Sequence, residues 1–223
     1  MTVNSVFLDF EGDIKGNFYL AGIIKNQQFE QIILDRRLSG LGYYRNLQIS
    51  NAKTFLENIC ELENNLCIYG YSIHEKEVFN ELVENHSLRK SNFKYVNLLK
   101  AAKSWVYKCH KESFENLPPF RKGAKPYQAK RLKNSLASIM RLTEFHSKSD
   151  YAPGKTTKRF NMGIKGLERH NQEYEKLTKS QKRDLTQALD HNEYDVRALP
   201  ILLKHIERDY PSALKRATTN LFE

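Results

Sequence analysis

Cysteine is scarce in this sequence: Cys60, Cys67 and Cys109 are the only three in 223 residues. The count is odd and no pair has C-x-x-C spacing, which excludes a disulfide-stapled scaffold and a cysteine-based zinc site. The expectation is three reduced thiols in a cytoplasmic protein. Long apolar runs are lacking too. None approaches the roughly 18 residues of a spanning helix, so no membrane partner is expected. Met1-Thr2-Val3-Asn4 enters a strand candidate almost at once, so no signal peptide is expected. Repeats and low-complexity tracts are absent. What is there is a globular composition, 40% hydrophobic, long enough for one domain over 1–223 with a buried core.

Acidic residues are missing from one segment in particular. From Pro118 to His170 the chain has only Glu144, Asp150 and Glu168, against 13 lysines and arginines. The whole chain carries 36 Lys and Arg and 26 Asp and Glu, so this insertion, about 118–170, accounts for the entire net charge of +10. A basic block suits a phosphate backbone, because each neutralised phosphate releases counterions. The candidate contacts are Arg121, Lys122, Lys125, Lys130, Arg131, Lys155, Lys158 and Arg159, with Tyr127, Tyr151 or Phe160 available to stack on bases. The expected partner is nucleic acid, DNA or RNA. The plain alternative is a solvated basic loop.

Elsewhere strands and helices alternate. Ser5–Glu11, Phe18–Lys25 and Phe29–Leu34 are strand candidates, the last two closed by Asn26-Gln27. A polar, glycine-bearing loop runs to Ser50. Ala52, Phe55, Leu56, Ile59 and Leu62 have helical spacing, with Ser50 or Asn51 as N-cap. Leu66–Tyr71 reads as a buried strand, His74–Asn85 as a helix, Phe93–Leu98 as a strand and the residues through Trp105 as a helix. Ser135–Leu142 reads as a short helix and Lys148–Gly166 as a long loop. Helix returns from Ser180, with Pro200 expected to kink it or to free the carbonyl near Val196. The order is that of an α/β domain.

Three places carry chemistry. In Val6-Phe7-Leu8-Asp9-Phe10-Glu11, two carboxylates sit two apart in an apolar run, so on a strand they leave the same face. Two like charges held together are costly unless a cation such as Mg²⁺ or Mn²⁺ lies between them; the alternative is an edge strand with one wet face. In Tyr71-Ser72-Ile73-His74-Glu75 a strand gives way to a helix, and Glu75 stands in its first turn, where negative charge is also structurally favoured. In His191-Asn192-Glu193-Tyr194-Asp195-Val196, His191 and Asp195 are one helical turn apart, as they also are in an ordinary surface pair. Ser149–Thr156 ends like a phosphate-binding loop, but Ser149 stands where that motif has its first glycine.

Taken in order, these segments resemble the DEDD-type 3′–5′ exonuclease superfamily, and within it the RecB-related ribonuclease H-like nucleases. Leu8-Asp9-Phe10-Glu11-Gly12 is similar to the family's first motif, Tyr71–Glu75 to its second, and His191–Val196 to its helical third. The resemblance covers residues 6 to about 206. It implies a ribonuclease H-like mixed five-stranded sheet flanked by helices, with the basic insertion before the last helix. It also implies hydrolysis of phosphodiester bonds by two Mg²⁺ or Mn²⁺ ions, held by Asp9, Glu11, Glu75 and Asp195, with His191 orienting or deprotonating the attacking water. The chain departs from the family in having glutamate at position 75, histidine at the tyrosine spacing before Asp195, and Asn97 where an aspartate is common. A second reading therefore stands beside the first: a catalytically weak or inactive nucleic-acid-binding module of a larger protein complex.

Overall fold

In a computed structural model the protein is described over residues 5–13, 16–60, 66–86, 93–118, 134–146 and 155–220. Three antiparallel strands open the fold: β1 (Ser5–Gly12), β2 (Phe18–Lys25) and β3 (Gln28–Ile33). The β2–β3 turn is Asn26-Gln27, both left-handed at φ 51° and 67°, the backbone that a two-residue hairpin turn requires. After them come α1 (Ser39–Arg45), β4 (Gln48–Ile49), α2 (Ala52–Cys60), β5 (Cys67–Gly70), α3 (Ile73–Asn85) and β6 (Lys94–Asn97). Among the described residues, five α-helices follow with no strand between them: α4 (Leu98–Cys109), α5 (Lys111–Glu115), α6 (Leu136–Met140), α7 (Thr156–Arg169) and α8 (Lys179–Asp209). A final turn of helix, α9 (Ser212–Ala217), leads into β7 (Thr218–Asn220).

One mixed sheet results, in the order β4-β3-β2-β1-β5-β6-β7. Strands β1, β5 and β6 run parallel, and β7 closes the edge antiparallel to β6. The alternation of β1 assigns its two faces. Val6, Leu8 and Phe10 pack with Phe55, Leu56, Ile59, Phe79 and Val83 of α2 and α3. Phe7 faces the other way, into a cluster with Trp105 of α4 and Val196, Leu199 and Leu203 of α8. A third cluster joins Tyr19, Leu20 and Ile33 to Phe160 and Ile164 of α7 and Leu185 of α8. The long helix α8 is thus the element that ties the sheet to everything after β6. It passes through Pro200 without a break.

The structure differs from the sequence expectation in three places. The sheet has seven strands rather than five, because the two- and three-residue strands β4 and β7 are too short to leave a period-two pattern. Residues 36–49, expected as loop, hold a 3₁₀ turn (Arg36–Leu38), α1 and β4, which fold around buried Leu38 and Leu41. Most of the expected Lys148–Gly166 loop is also helical, since α7 starts at Thr156. Its glycines mark close packing instead of turns: a Cβ on Gly163 would stand 2.3 Å from Leu185 Cδ2, and one on Gly166 2.6 Å from Leu177 Cδ2. Among the described residues no helix is long and apolar enough to cross a membrane, and Cys67 and Cys109 are free thiols.

Candidate active site

Asp9 and Glu11 lie on the face of β1 that looks toward α8, both half-buried. The link between the strand and the helix is Asn192, completely buried. Its Nδ2 donates to Asp9 Oδ2 at 2.8 Å and, more weakly, to the Asp9 carbonyl at 3.4 Å. Its Oδ1 accepts from Gln31 Nε2 at 3.1 Å, and the same Gln31 amide donates to the Leu189 carbonyl at 2.9 Å. The helix comes this close because the residue paired with Asp9 on β2 is Gly22. A Cβ there would lie 2.2 Å from Asn192 Oδ1 and 2.7 Å from Val196 Cγ2.

Glu75 arrives from the opposite side, at the start of α3, where β5 ends. Ser72 and Glu75 form a capping box: Glu75 Oε2 accepts from the Ser72 N–H at 2.8 Å and from its hydroxyl at 2.9 Å. Buried Tyr95 donates to the Ser72 carbonyl, with its hydroxyl 3.5 Å from Glu75 Oε2. Glu75 is therefore a structural cap and a buried charge at once. On α8, Asp195 Oδ2 stands 3.3 Å from His191 Nε2.

The electrostatics show that these groups share one place. Burial raises the Asp9 carboxyl well above its usual range, and Glu11, Asp195 and Glu75 each push it further; only the Asn192 bond opposes them. Glu11 is raised by burial and then by Asp195 and Glu75. Burial raises Glu75 as well, against the hydrogen bonds of its cap. His191 moves the other way, down to about 4, because it is buried and because Arg159 lies near. That shift favours the uncharged imidazole near neutral pH, with Nε2 3.3 Å from Asp195 Oδ2. Two tyrosines wall the cluster: Tyr71, raised by burial and by Asp195 and Glu75, and Tyr194, raised by burial and Asp195 and stacked on Phe145 at 5.2 Å.

Arg159 and Phe160 are not on a strand-gripping surface. Arg159 is only 8% exposed and donates from Nη2 to Gln187 Oε1 at 2.8 Å, on the His191 side of the site. Phe160 is fully buried against Tyr19 and cannot stack on a base. Both sit in α7, whose apolar stripe turns that face inward. Lys155 and Lys158 are exposed at its first turn. Arg121, Lys122, Lys125, Lys130, Arg131, Tyr127 and Tyr151 fall outside the described residues. Asn97 caps α4, its Oδ1 accepting from the Lys100 N–H at 2.9 Å.

Four carboxylates that repel one another, with hard oxygen donors, form the set that a divalent magnesium-like cation satisfies. As they stand, no three His, Cys, Asp or Glu side chains among the described residues converge into a cage for an ion. Asp9, Glu75 and Asp195 lean on Asn192, Ser72 and His191 instead. Asn192, Gln31 and Gly22 had no assigned role in the sequence. For Asn192 the signal was its place between His191 and Asp195. For Gln31 and Gly22 there was none, since their role exists only once β2, β3 and α8 meet. No family model, curated protein or solved structure matches this chain.

Proposed function

We propose that this chain is a metal-dependent nuclease of the ribonuclease H-like fold, a 3′→5′ exonuclease acting on DNA or RNA. The observation that carries this reading is that Glu75 of α3 and Asp195 of α8 lie close enough to Asp9 and Glu11 of β1 to push both carboxyls upward, with His191 3.3 Å from Asp195. Without the edge strands β4 and β7, the sheet order β3-β2-β1-β5-β6, an antiparallel meander followed by two parallel strands, agrees with that fold.

Asp9, Glu11, Glu75 and Asp195 would hold two Mg²⁺ or Mn²⁺ ions, which when bound supply positive charge at the scissile phosphate and lower the pKa of a water. The rest belongs to the chain's own residues. Asn192, steadied by Gln31, fixes the Asp9 carboxylate. The Ser72 cap fixes Glu75. His191 would orient or deprotonate the attacking water through Nε2, the ring nitrogen beside Asp195, once Asp195 holds a metal. Arg159, near enough to His191 to act on it, would add a positive charge beside the site to draw a phosphate oxygen.

The test is degradation of an end-labelled strand with Mn²⁺ or Mg²⁺. The parent shortens the strand from its 3′ end, leaves a closed circle intact, and loses at least about 100-fold in rate on Asp9→Asn. Unchanged cleavage by Asp9→Asn removes the catalytic assignment. The second reading, a binding module without activity, draws on two observations: Glu75 Oε2 is already engaged by Ser72, and Asn97 is neutral and serves as a helix cap. A parent that binds strands but cleaves none, with either metal, decides for it.

A further inference from the structure

Helix α4 has an outer face that its packing does not explain. It buries Leu98, Ala101, Ala102, Trp105 and Val106, and turns Lys100, Lys103, Tyr107 and Lys108 to solvent. Tyr107 is 65% exposed. Two ammonium groups flank its ring, Lys111 Nζ at 5.6 Å and Lys108 Nζ at 6.0 Å from the centroid. At about 100° per residue, Lys100, Lys103 and Tyr107 fall within an arc of roughly 60°. From Leu98 to Lys111 the chain has no acidic residue. Among the described residues none of these four lysines forms an ion pair. The stripe lies outside the 118–170 insertion, hidden by the overall charge balance of the rest of the chain.

Its position ties it to the acid cluster. The Leu99 N–H, in the first turn of α4, donates to the Tyr71 carbonyl at 2.7 Å, and Tyr71 is the tyrosine that senses Asp195 and Glu75. We propose that this face of α4 is a track for single-stranded nucleic acid running to the site, the lysines neutralising phosphates and Tyr107 stacking on a base. An exposed aromatic held between ammonium groups suits an unstacked base, which a duplex does not offer. The 12-residue helix is about 18 Å long, and a stacked strand advances roughly 3.4 Å per nucleotide, so the track spans about five nucleotides. That the strand runs toward a cleavage site rests on the function proposed above; that it binds here does not.

The test uses the full chain in chelator, with fluorescence anisotropy of labelled 12-nucleotide DNA and RNA strands and a blunt duplex. Lys103→Ala with Lys111→Ala should weaken 12-mer binding about tenfold and reduce the log–log salt slope by about 1.4. Tyr107→Ala should weaken it about fivefold or more without changing that slope. Circular dichroism should match the parent, since all three side chains are exposed. Unchanged 12-mer affinity in both variants overturns the proposal. So does a parent that binds no single strand, or one that prefers the duplex regardless of Tyr107. Hydrolysis of bis(p-nitrophenyl) phosphate with Mn²⁺ separates the two readings, because that small ester does not reach the track. If the parent fails to hydrolyse it while strand binding still depends on Lys103, Lys111 and Tyr107, the nuclease reading falls and the track stands.

Discussion

Asp9 and its neighbours make a definite statement about stability. A carboxyl whose folded pKa lies above its unfolded value stabilises the fold while it keeps its proton. That contribution is complete below the unfolded value near 4 and is lost as pH rises through the folded one. Asp9, Glu11 and Glu75 are all raised, so without divalent ions the cluster works against the fold at neutral pH. Asp9→Asn keeps the shape and can still accept from Asn192. Melting in chelator should therefore show the variant more stable than the parent at pH 7, by a few degrees (about 2–4 °C per kcal/mol for a chain of this size), with the gain shrinking toward pH 4. A lower melting temperature at pH 7 contradicts the account. Asn192→Ala is the opposite case. It strands Asp9 and Gln31 in a buried place, and should cost about 1–3 kcal/mol in denaturant unfolding and about 10–100-fold in cleavage rate. At this scale the sequence showed which acids to watch, because two carboxylates two apart leave a strand on one face, although an edge strand with one wet face gives the same pattern. It did not show what holds them: a hydrogen bond from Asn192 to a residue 183 positions away leaves no local pattern.

Among the elements, α7 and α8 carry the most information, and α7 was the less legible. Its apolar positions Phe160, Ile164 and Leu167 have helical spacing, but Gly163 and Gly166 lie among them and suggest a loop. Their real work is to let α7 settle on α8, where missing side chains admit Leu185, Leu177 and Gln181. Gly163→Ala tests this directly. Helix propensity alone favours alanine by up to about 1 kcal/mol, while the collision with fully buried Leu185 should cost about 1–3 kcal/mol. Urea unfolding should show a net loss; a stabilised variant would mean the two helices are not in close contact. The same variant should lower cleavage, since α7 carries Arg159 to the His191 side of the site. Helix α8 was readable from its period, and so was the one-turn relation of His191 to Asp195, because both depend only on local geometry. Its capping box, Thr178 with Gln181, sets the start at Lys179.

At the scale of the molecule, the α/β order was legible because each central strand and helix repeats its own period. The edge strands and α1 were not, because pieces so short are stabilised only by what they dock against. The charge reading was half legible in the same way: a net value over 53 residues picks out a basic insertion, while the neutral balance of the remaining residues hides Lys100, Lys103 and Lys108 on α4 and Lys111 just beyond it. We propose that β1, α3 and α8 bring four acids to one place where divalent cations would support phosphodiester hydrolysis. Anomalous diffraction from a crystal soaked in Mn²⁺ tests it most directly. The account predicts two peaks about 3.5–4 Å apart, bound by carboxylate oxygens of Asp9, Glu11, Glu75 and Asp195. An ordered crystal with no peak there, Asp9 still held by Asn192 and Glu75 by Ser72, would contradict it.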